Sequence, residues 1–223
     1  MARRLVVVLS GRGSNLEAII DGVHRAEAVD ARIVGVCSNR PQAPGLAVAE
    51  AAAIATRCVD HRAHPSREAF ETALGAALDA FEPDLVLLAG FMRILTPGFV
   101  DRYSPHMLNV HPSLLPDFPG LDTHARALER GDPVAGASVH VVTPELDAGP
   151  VIARIRVPVR DGDTAERLQT RVLAAEHRLY PAVIAWEAAG RLALGRDGVC
   201  LDGRRLPPTG VDFRMRDEVM EPC

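Results

Sequence analysis

The chain of 223 residues contains no lysine, so all 25 of its basic residues other than histidine are arginine. That absence excludes a lysine Schiff base and a Walker loop, both of which need the amine. The abundant alanines beside it point to genomic composition as its source. Long apolar runs are missing too, and nothing approaches the ~20 residues of a membrane span. The four cysteines, Cys37, Cys58, Cys200 and Cys223, form no CxxC pair, which argues against a disulfide frame or a zinc knuckle. A net charge of −4 speaks against broad nucleic-acid binding. The basic start Ala2–Arg4 followed by Leu5–Leu9 is too short for a secretory leader. The expected setting is the cytoplasm, with no membrane and no nucleic-acid partner.

What is present is a 48% hydrophobic chain of a size that fits one α/β domain. Leu5–Leu9, Ile33–Val36, Ala55–Val59, Leu85–Leu88 and Met107–Val110 are short apolar runs of the kind that form buried strands. Between them lie helical patterns: Leu16, Ile19, Ile20 and Val23; Gly45–Ala53; and Ser66 to about Phe81, with Ser66 as the cap. This alternation predicts a mostly parallel sheet with crossover helices. Further on come a helix at Thr123–Arg130, a strand pair at Ala137–Val142 and Val151–Val159, and a long helix at Thr164–Ala189 capped by Asp163. One domain over 1–208 is expected, followed by a polar, loosely held tail over 209–223.

Ser10-Gly11-Arg12-Gly13-Ser14-Asn15 joins the first strand to the first helix. Glycines let backbone amides crowd a ligand, and a helix start favours an anion. Leu16 stands where a dinucleotide fingerprint needs its third glycine. The turn therefore suits a single phosphate, held by Gly13, Ser14 and Asn15, or it is a plain strand-to-helix connection.

Leu108-Asn109-Val110-His111-Pro112-Ser113-Leu114-Leu115-Pro116 sets an amide and an imidazole two residues apart. In an extended segment both face the same space. An amide donates to a developing oxyanion, and an imidazole moves protons near neutral pH. The pair suggests carbonyl or acyl chemistry, with the prolines stiffening the backbone behind it. A loop in which both side chains satisfy nearby backbone is the plainer alternative.

Together, these segments resemble the phosphoribosylglycinamide formyltransferases, folate-dependent enzymes of purine synthesis. The likeness runs from Val6–Leu16 to Leu201–Pro208. It takes in Leu88–Leu95, Asn109–Pro116 with Pro119-Gly120, Ser138–Thr143 with Glu145–Pro150, and Glu176-His177 with Leu179-Tyr180-Pro181. The resemblance implies a Rossmann-like formyltransferase fold, with helices on both faces of a mostly parallel sheet. It implies transfer of the formyl group of 10-formyltetrahydrofolate to the amine of 5-phosphoribosylglycinamide, without a metal. Asn109, His111 and Asp147 would be catalytic. Asn109 and protonated His111 would stabilise the oxyanion, His111 would also donate a proton to the leaving folate nitrogen, and Asp147 would orient the imidazole and stabilise its charge. Gly13, Ser14 and Asn15 would hold the phosphate, and Glu176 the ribonucleotide. Met92, Arg93, Ile94 and Leu95, with Thr143, Pro144, Glu145, Leu146 and Asp147, would line the folate slot beside Asn109, and Arg67 would lie near it.

Two positions depart from the family pattern: Arg12 fills a variable place between glycines, and Leu173-Ala174-Ala175 precede Glu176 where polar residues would assist. Each candidate also has a plainer role, Asp147 as a turn residue and Glu176 as a solvated helix residue. Methionyl-tRNA formyltransferase and formyltetrahydrofolate deformylase are the nearest rivals. The first is expected to carry a further domain after the core, and the second one before it. A metal hydrolase built on His111, His124, His140 and Asp147 lacks HExxH or HxxEH spacing. A non-catalytic nucleotide sensor leaves the amide, imidazole and carboxylate without a shared task. The substrates are small molecules; monomer and homodimer both remain open.

Overall fold

A computed structural model of the chain describes residues 2–216 and 219–223. The first half alternates β1 (Arg3–Leu9), α1 (Ser14–Ile19), β2 (Ala31–Ser38), α2 (Pro44–Ala51), β3 (Thr56–Cys58), α3 (Arg67–Asp79), β4 (Leu85–Leu88), α4 (Pro97–Tyr103) and β5 (Met107–His111). The second half contains α5 (Thr123–Arg130), β6 (Val134–Val141), β7 (Val151–Pro158), α6 (Ala165–Ala188), three two-residue strands β8 (Leu192–Ala193), β9 (Cys200–Leu201) and β10 (Arg204–Arg205), then β11 (Val211–Arg216) and β12 (Val219–Pro222).

Nine of these strands form one sheet in the order β12-β11-β7-β6-β5-β4-β1-β2-β3. From β3 to β5 every pairing is parallel. β6 then runs antiparallel to both β5 and β7, and β11 returns parallel to β7. The expected α/β architecture, a mostly parallel sheet flanked by helices, is the observed one.

The reason lies in the strands. β1 is buried from Leu5 through Leu9, as a strand covered on both faces must be. Leu5, Val7 and Leu9 pack into one core with Leu16, Ile19 and the α6 residues Leu168, Val172, Leu179 and Val183. Val6 and Val8 pack into a second core with Phe70, Leu74 and Leu78 of α3 and Phe99 of α4. Alternate side chains of one strand thus hold two helical layers on opposite faces.

Local chemistry sets the element ends. Ser66 caps α3 by accepting the Ala69 N–H, as its sequence position predicts. The cap of α6 is Thr164 rather than the expected Asp163. Asp163 instead accepts the Arg160 N–H and pairs with Arg171, so two neighbours draw its carboxylate away from the helix axis. α1 ends early and continues as a π-turn over Ile20–His24. A Cβ on Gly22 would lie 2.9 Å from the Pro181 ring, so that turn packs directly on α6. α4 has no counterpart in the sequence pattern; at seven residues it is too short to show a period, and Thr96 with Pro97 alone signals it.

The segment expected to be a polar tail forms β11 and β12. It is anchored by Asp212, which takes both the Nε and Nη2 hydrogens of Arg154 at 2.9 Å and one from Arg156 at 2.9 Å. Arg154 is buried, and its Nη1 donates to the Leu115 carbonyl at 3.0 Å. Asp212→Asn removes charged acceptors from this buried guanidinium. It is expected to lower the unfolding free energy by about 2 kcal/mol, read as a lower urea midpoint at unchanged slope.

Candidate active site

β1 pairs with β2 on one side and β4 on the other. The chain therefore leaves β1 in one direction and later returns in the opposite one. At such a reversal the connections diverge and a crevice opens beyond the strand ends. Here that crevice is a cleft of about 880 Å³, lined by Gly11–Asn15 after β1, Ala89–Ile94 after β4, Asn109–Pro112 at the end of β5, and parts of 120–125, 146–147 and α6.

The glycine turn has little freedom. Gly13 has φ 85°, and a Cβ on it would come within 2.7 Å of the Gly45 backbone, so both conformation and space demand glycine. Ser10 ties the turn to the next wall, donating to Asn39 Oδ1 at 2.6 Å and accepting the Met92 N–H at 2.9 Å. Behind the turn, the buried Asn15 amide donates to Glu176 Oε2 at 2.8 Å. Asn15 Oδ1 has no hydrogen-bond partner among the described residues. The side chain expected to hold phosphate therefore also joins α1 to α6.

On β5, Asn109 and His111 share a face, as their spacing requires. The connection from β6 to β7 folds back over that face and brings Asp147 to them. Asp147 Oδ2 lies 3.4 Å from His111 Nδ1, and Oδ1 lies 3.7 Å from His140 Nε2. The Gly120 N–H donates to Asp147 Oδ2 at 2.9 Å. His111 Nε2 is 2.9 Å from the Phe118 carbonyl. A carbonyl only accepts, so Nε2 carries a hydrogen, while Nδ1 faces the Asp147 carboxylate. Asp147 and Phe118 adopt φ 52° and 53°. Such left-handed geometry costs a non-glycine residue ~1–2 kcal/mol, and strain of this kind gathers at functional sites.

His140 stands opposite Asn109 in the antiparallel β5–β6 pair. Its Nδ1 lies 3.0 Å from the Val141 carbonyl, which fixes the hydrogen there and leaves Nε2 as an acceptor. Asn109 Nδ2 donates to that Nε2 at 3.1 Å. Burial pushes the His140 imidazole well below its ordinary value of 6.5, so it remains neutral and accepting near neutral pH. The amide of Asn109 is thereby oriented, with its second N–H left for the cleft.

Of the other expected site residues, Met92, Arg93, Ile94, Leu146 and Glu176 lie on the cleft wall. Met92, Ile94 and Leu146 are more than half exposed there, an apolar rim at the mouth. The guanidinium of Arg93 sits 5.3 Å from the Phe70 ring centre. Leu95 lies instead in the core beside Phe99, while Arg67, Thr143, Pro144 and Glu145 are off the lining. Sequence reasoning named His140 and His124 only in the metal-hydrolase alternative and gave them no part in the formyl-transfer site. The signal for His140 was its register against Asn109. His124 lies on α5, lines the cleft, and has a buried Nε2 without a partner among the described residues. Among those residues no group of three His, Cys, Asp or Glu side chains is placed to hold a metal ion, and no helix is long and apolar enough to cross a membrane.

Residues 3–184 match the family described as formyl transferase. The chain is 50% identical over 206 residues to the phosphoribosylglycinamide formyltransferase of Escherichia coli (strain K12), covering 92% of this chain and 97% of that protein. It superposes with a TM-score of 0.90, at 46% identity, on the phosphoribosylglycinamide formyltransferase of Coxiella burnetii, covering 95% of this chain and 99% of that one. The enzyme of the same description from Brucella melitensis gives a TM-score of 0.81 at 50% identity, over 87% of this chain and 100% of that one.

Burial raises the Glu176 carboxyl from 4.5 to about 7, against the opposing hydrogen bond from Asn15. A folded value above the unfolded one means that the neutral form is favoured in the fold. The stability it contributes is complete below the unfolded value and is lost as pH rises through about 7. Glu176→Gln removes that loss. The melting temperature of the variant relative to the parent is expected to climb by several degrees between about pH 5 and pH 8, followed by thermal denaturation across that range.

Proposed function

The chain belongs to the formyl transferase family, and we infer that this cleft is where it moves the formyl group of 10-formyltetrahydrofolate to the amine of 5-phosphoribosylglycinamide. The observation that carries the site assignment is the meeting of Asn109 and His111 of β5 with Asp147, which is distant from them in sequence, at one wall of one cleft.

The chemistry follows from the groups present. The neutral amine attacks the formyl carbon, forming the new C–N bond and moving the carbonyl electron pair onto oxygen. Asn109 donates its free N–H to that oxyanion, in a setting shielded enough for one such donor to contribute ~10²–10³ in rate. His111 supports the same charge. As the bond to the folate nitrogen breaks, His111 supplies the proton that nitrogen needs. Asp147 holds the imidazolium, and the neutral imidazole left after that transfer takes up the proton the amine loses. The amine is itself the nucleophile, so no covalent enzyme intermediate is needed.

Gly13 and Ser14 supply backbone amides at the open start of α1, where the first N–H groups of a helix lack internal partners. Together with the Ser14 hydroxyl they hold the phosphate, with Asn15 fixing the turn and exposed Arg12 beside it on the lining. Glu176 faces the same end and accepts from ribose hydroxyls. Leu173, also on the lining, offers no polar contact, while Glu166 and Gln169 are the other polar α6 residues there. The folate lies along Met92, Arg93, Ile94 and Leu146. The four cysteines are free, which suits the reducing cytoplasm where we place the protein.

His111→Ala and Asp147→Asn are each expected to cut kcat by about 10³, with ribonucleotide affinity held within a few fold. Turnover close to the parent in either variant would remove that residue from the reaction. Ser14→Ala combined with Asn15→Ala is expected instead to weaken ribonucleotide binding, measured by calorimetry; unchanged affinity would place the phosphate elsewhere. The assay is absorbance of the folate with and without the ribonucleotide. Formyl loss that proceeds with water alone would mark a deformylase.

A further inference from the structure

One tight turn, residues 118–120, holds both partners of the catalytic pair. Its Phe118 carbonyl fixes His111 Nε2, and its Gly120 N–H fixes Asp147 Oδ2, each at 2.9 Å. The turn cannot hold this shape cheaply, because Phe118 sits at φ 53° with a bulky side chain. Something outside must secure it.

We propose that Arg126 and Arg130 of α5 are positioning residues for the transfer, clamping the turn from its outer side. Arg130 places its guanidinium carbon 4.1 Å from the Phe118 ring centre, and Arg126 places its own at 5.2 Å. Both lie in the range where a cation is attracted to an aromatic face. Arg126 Nη1 also donates to the carbonyls of Pro119 at 2.7 Å and Leu121 at 3.3 Å, so it grips the backbone on both sides of Gly120. Arg130 is itself braced. Nη2 donates to Asp117 at 2.9 Å and to Asp132 at 2.6 Å, and Nε donates to Asp132 at 2.7 Å. Neither arginine lines the cleft. They touch no reacting atom and act only through the turn.

Exposed ion pairs such as Arg130–Asp117 contribute little by themselves. What sets this cluster apart is its aim: the charged groups close on a strained aromatic residue whose carbonyl faces the other way, into the site. The clamp converts attraction at the surface into fixed positions for two buried side chains. The proposal rests on the roles given above to His111 and Asp147, yet it has a readout that does not depend on them.

The test compares Arg126→Gln/Arg130→Gln, Phe118→Leu and Arg130→Lys with the parent, in steady-state turnover and in spectra of protein carrying ¹⁵N-labelled histidine. In the parent, the His111 Nε2–H signal is expected to exchange slowly with solvent. In Arg126→Gln/Arg130→Gln and in Phe118→Leu it is expected to exchange fast, kcat to fall roughly 10–100-fold, and KM for both substrates to stay within threefold. Arg130→Lys keeps a cation over the ring and is expected to retain more than half of kcat. A parent-like Nε2–H signal in the glutamine variant, a loss expressed in KM instead of kcat, or a lysine variant as impaired as the glutamine one would each overturn the clamp. Should the double variant fail to fold, Arg130→Gln alone gives the same readouts. The Nε2–H signal judges the clamp even if His111→Ala shows that the imidazole has no part in turnover.

Discussion

The central strands are covered on both faces by helices, and the rest of the molecule depends on that constraint. β1 and β4 are apolar along nearly their whole length because neither side meets water. Polar side chains can therefore emerge only where a strand runs out of cover. For β1 and β4 this is the carboxyl end. For β5 it is one flank, where Asn109 and His111 face connecting loops instead of a helix. The cleft is the region the two hydrophobic cores leave unfilled. Tyr180, fully buried on α6, donates to the carbonyls of Leu88 and Leu108, so the two strands that feed the site are pinned immediately before they reach it.

Within the cleft, each polar group is held by a second group that does not react. Asn109 is oriented by His140, His111 by Phe118, Asp147 by Gly120, and Asn15 by Glu176. In a setting of low polarity an oriented dipole acts more strongly than in water, and it needs no rearrangement as charge develops. The same shielding carries a cost. Burial drives Glu176 toward its neutral form and His140 away from its charged one, so part of the stability of the fold is given up to keep these groups in place. The left-handed backbone at Phe118, Asp122 and Asp147 is a second cost of the same kind.

Much of this was legible in the residues. The apolar runs of β1, β4 and β5 and the spacing of α3 and α6 announce a parallel sheet with crossover helices. The Asn109–His111 spacing announces a shared face, and the glycine turn announces close backbone approach. Other features had no local signature. α4 is too brief to show a period. Asp163 looked like a cap because its chemistry suits one, but Arg160 and Arg171 compete for it more strongly than the helix start does. β11 and β12 look polar because Val211, Phe213, Met215 and Met220, which pack on the core, are interspersed with charged residues, and Asp212 adds an ion pair with Arg154. His140 is unremarkable along the chain and acquires a role only from its register against Asn109.

By itself the sequence determined most of the longer elements, which of their faces are apolar, and which residue types with acid, base or donor chemistry are available. Those properties depend on neighbours within a few positions, where period and propensity act. Only the tertiary structure decided that Asp147 folds back to His111, that Phe118 turns its carbonyl inward, and that Arg126 and Arg130 close behind it. Each of these is a contact between segments whose meeting depends on how whole layers pack, and no local energy encodes it.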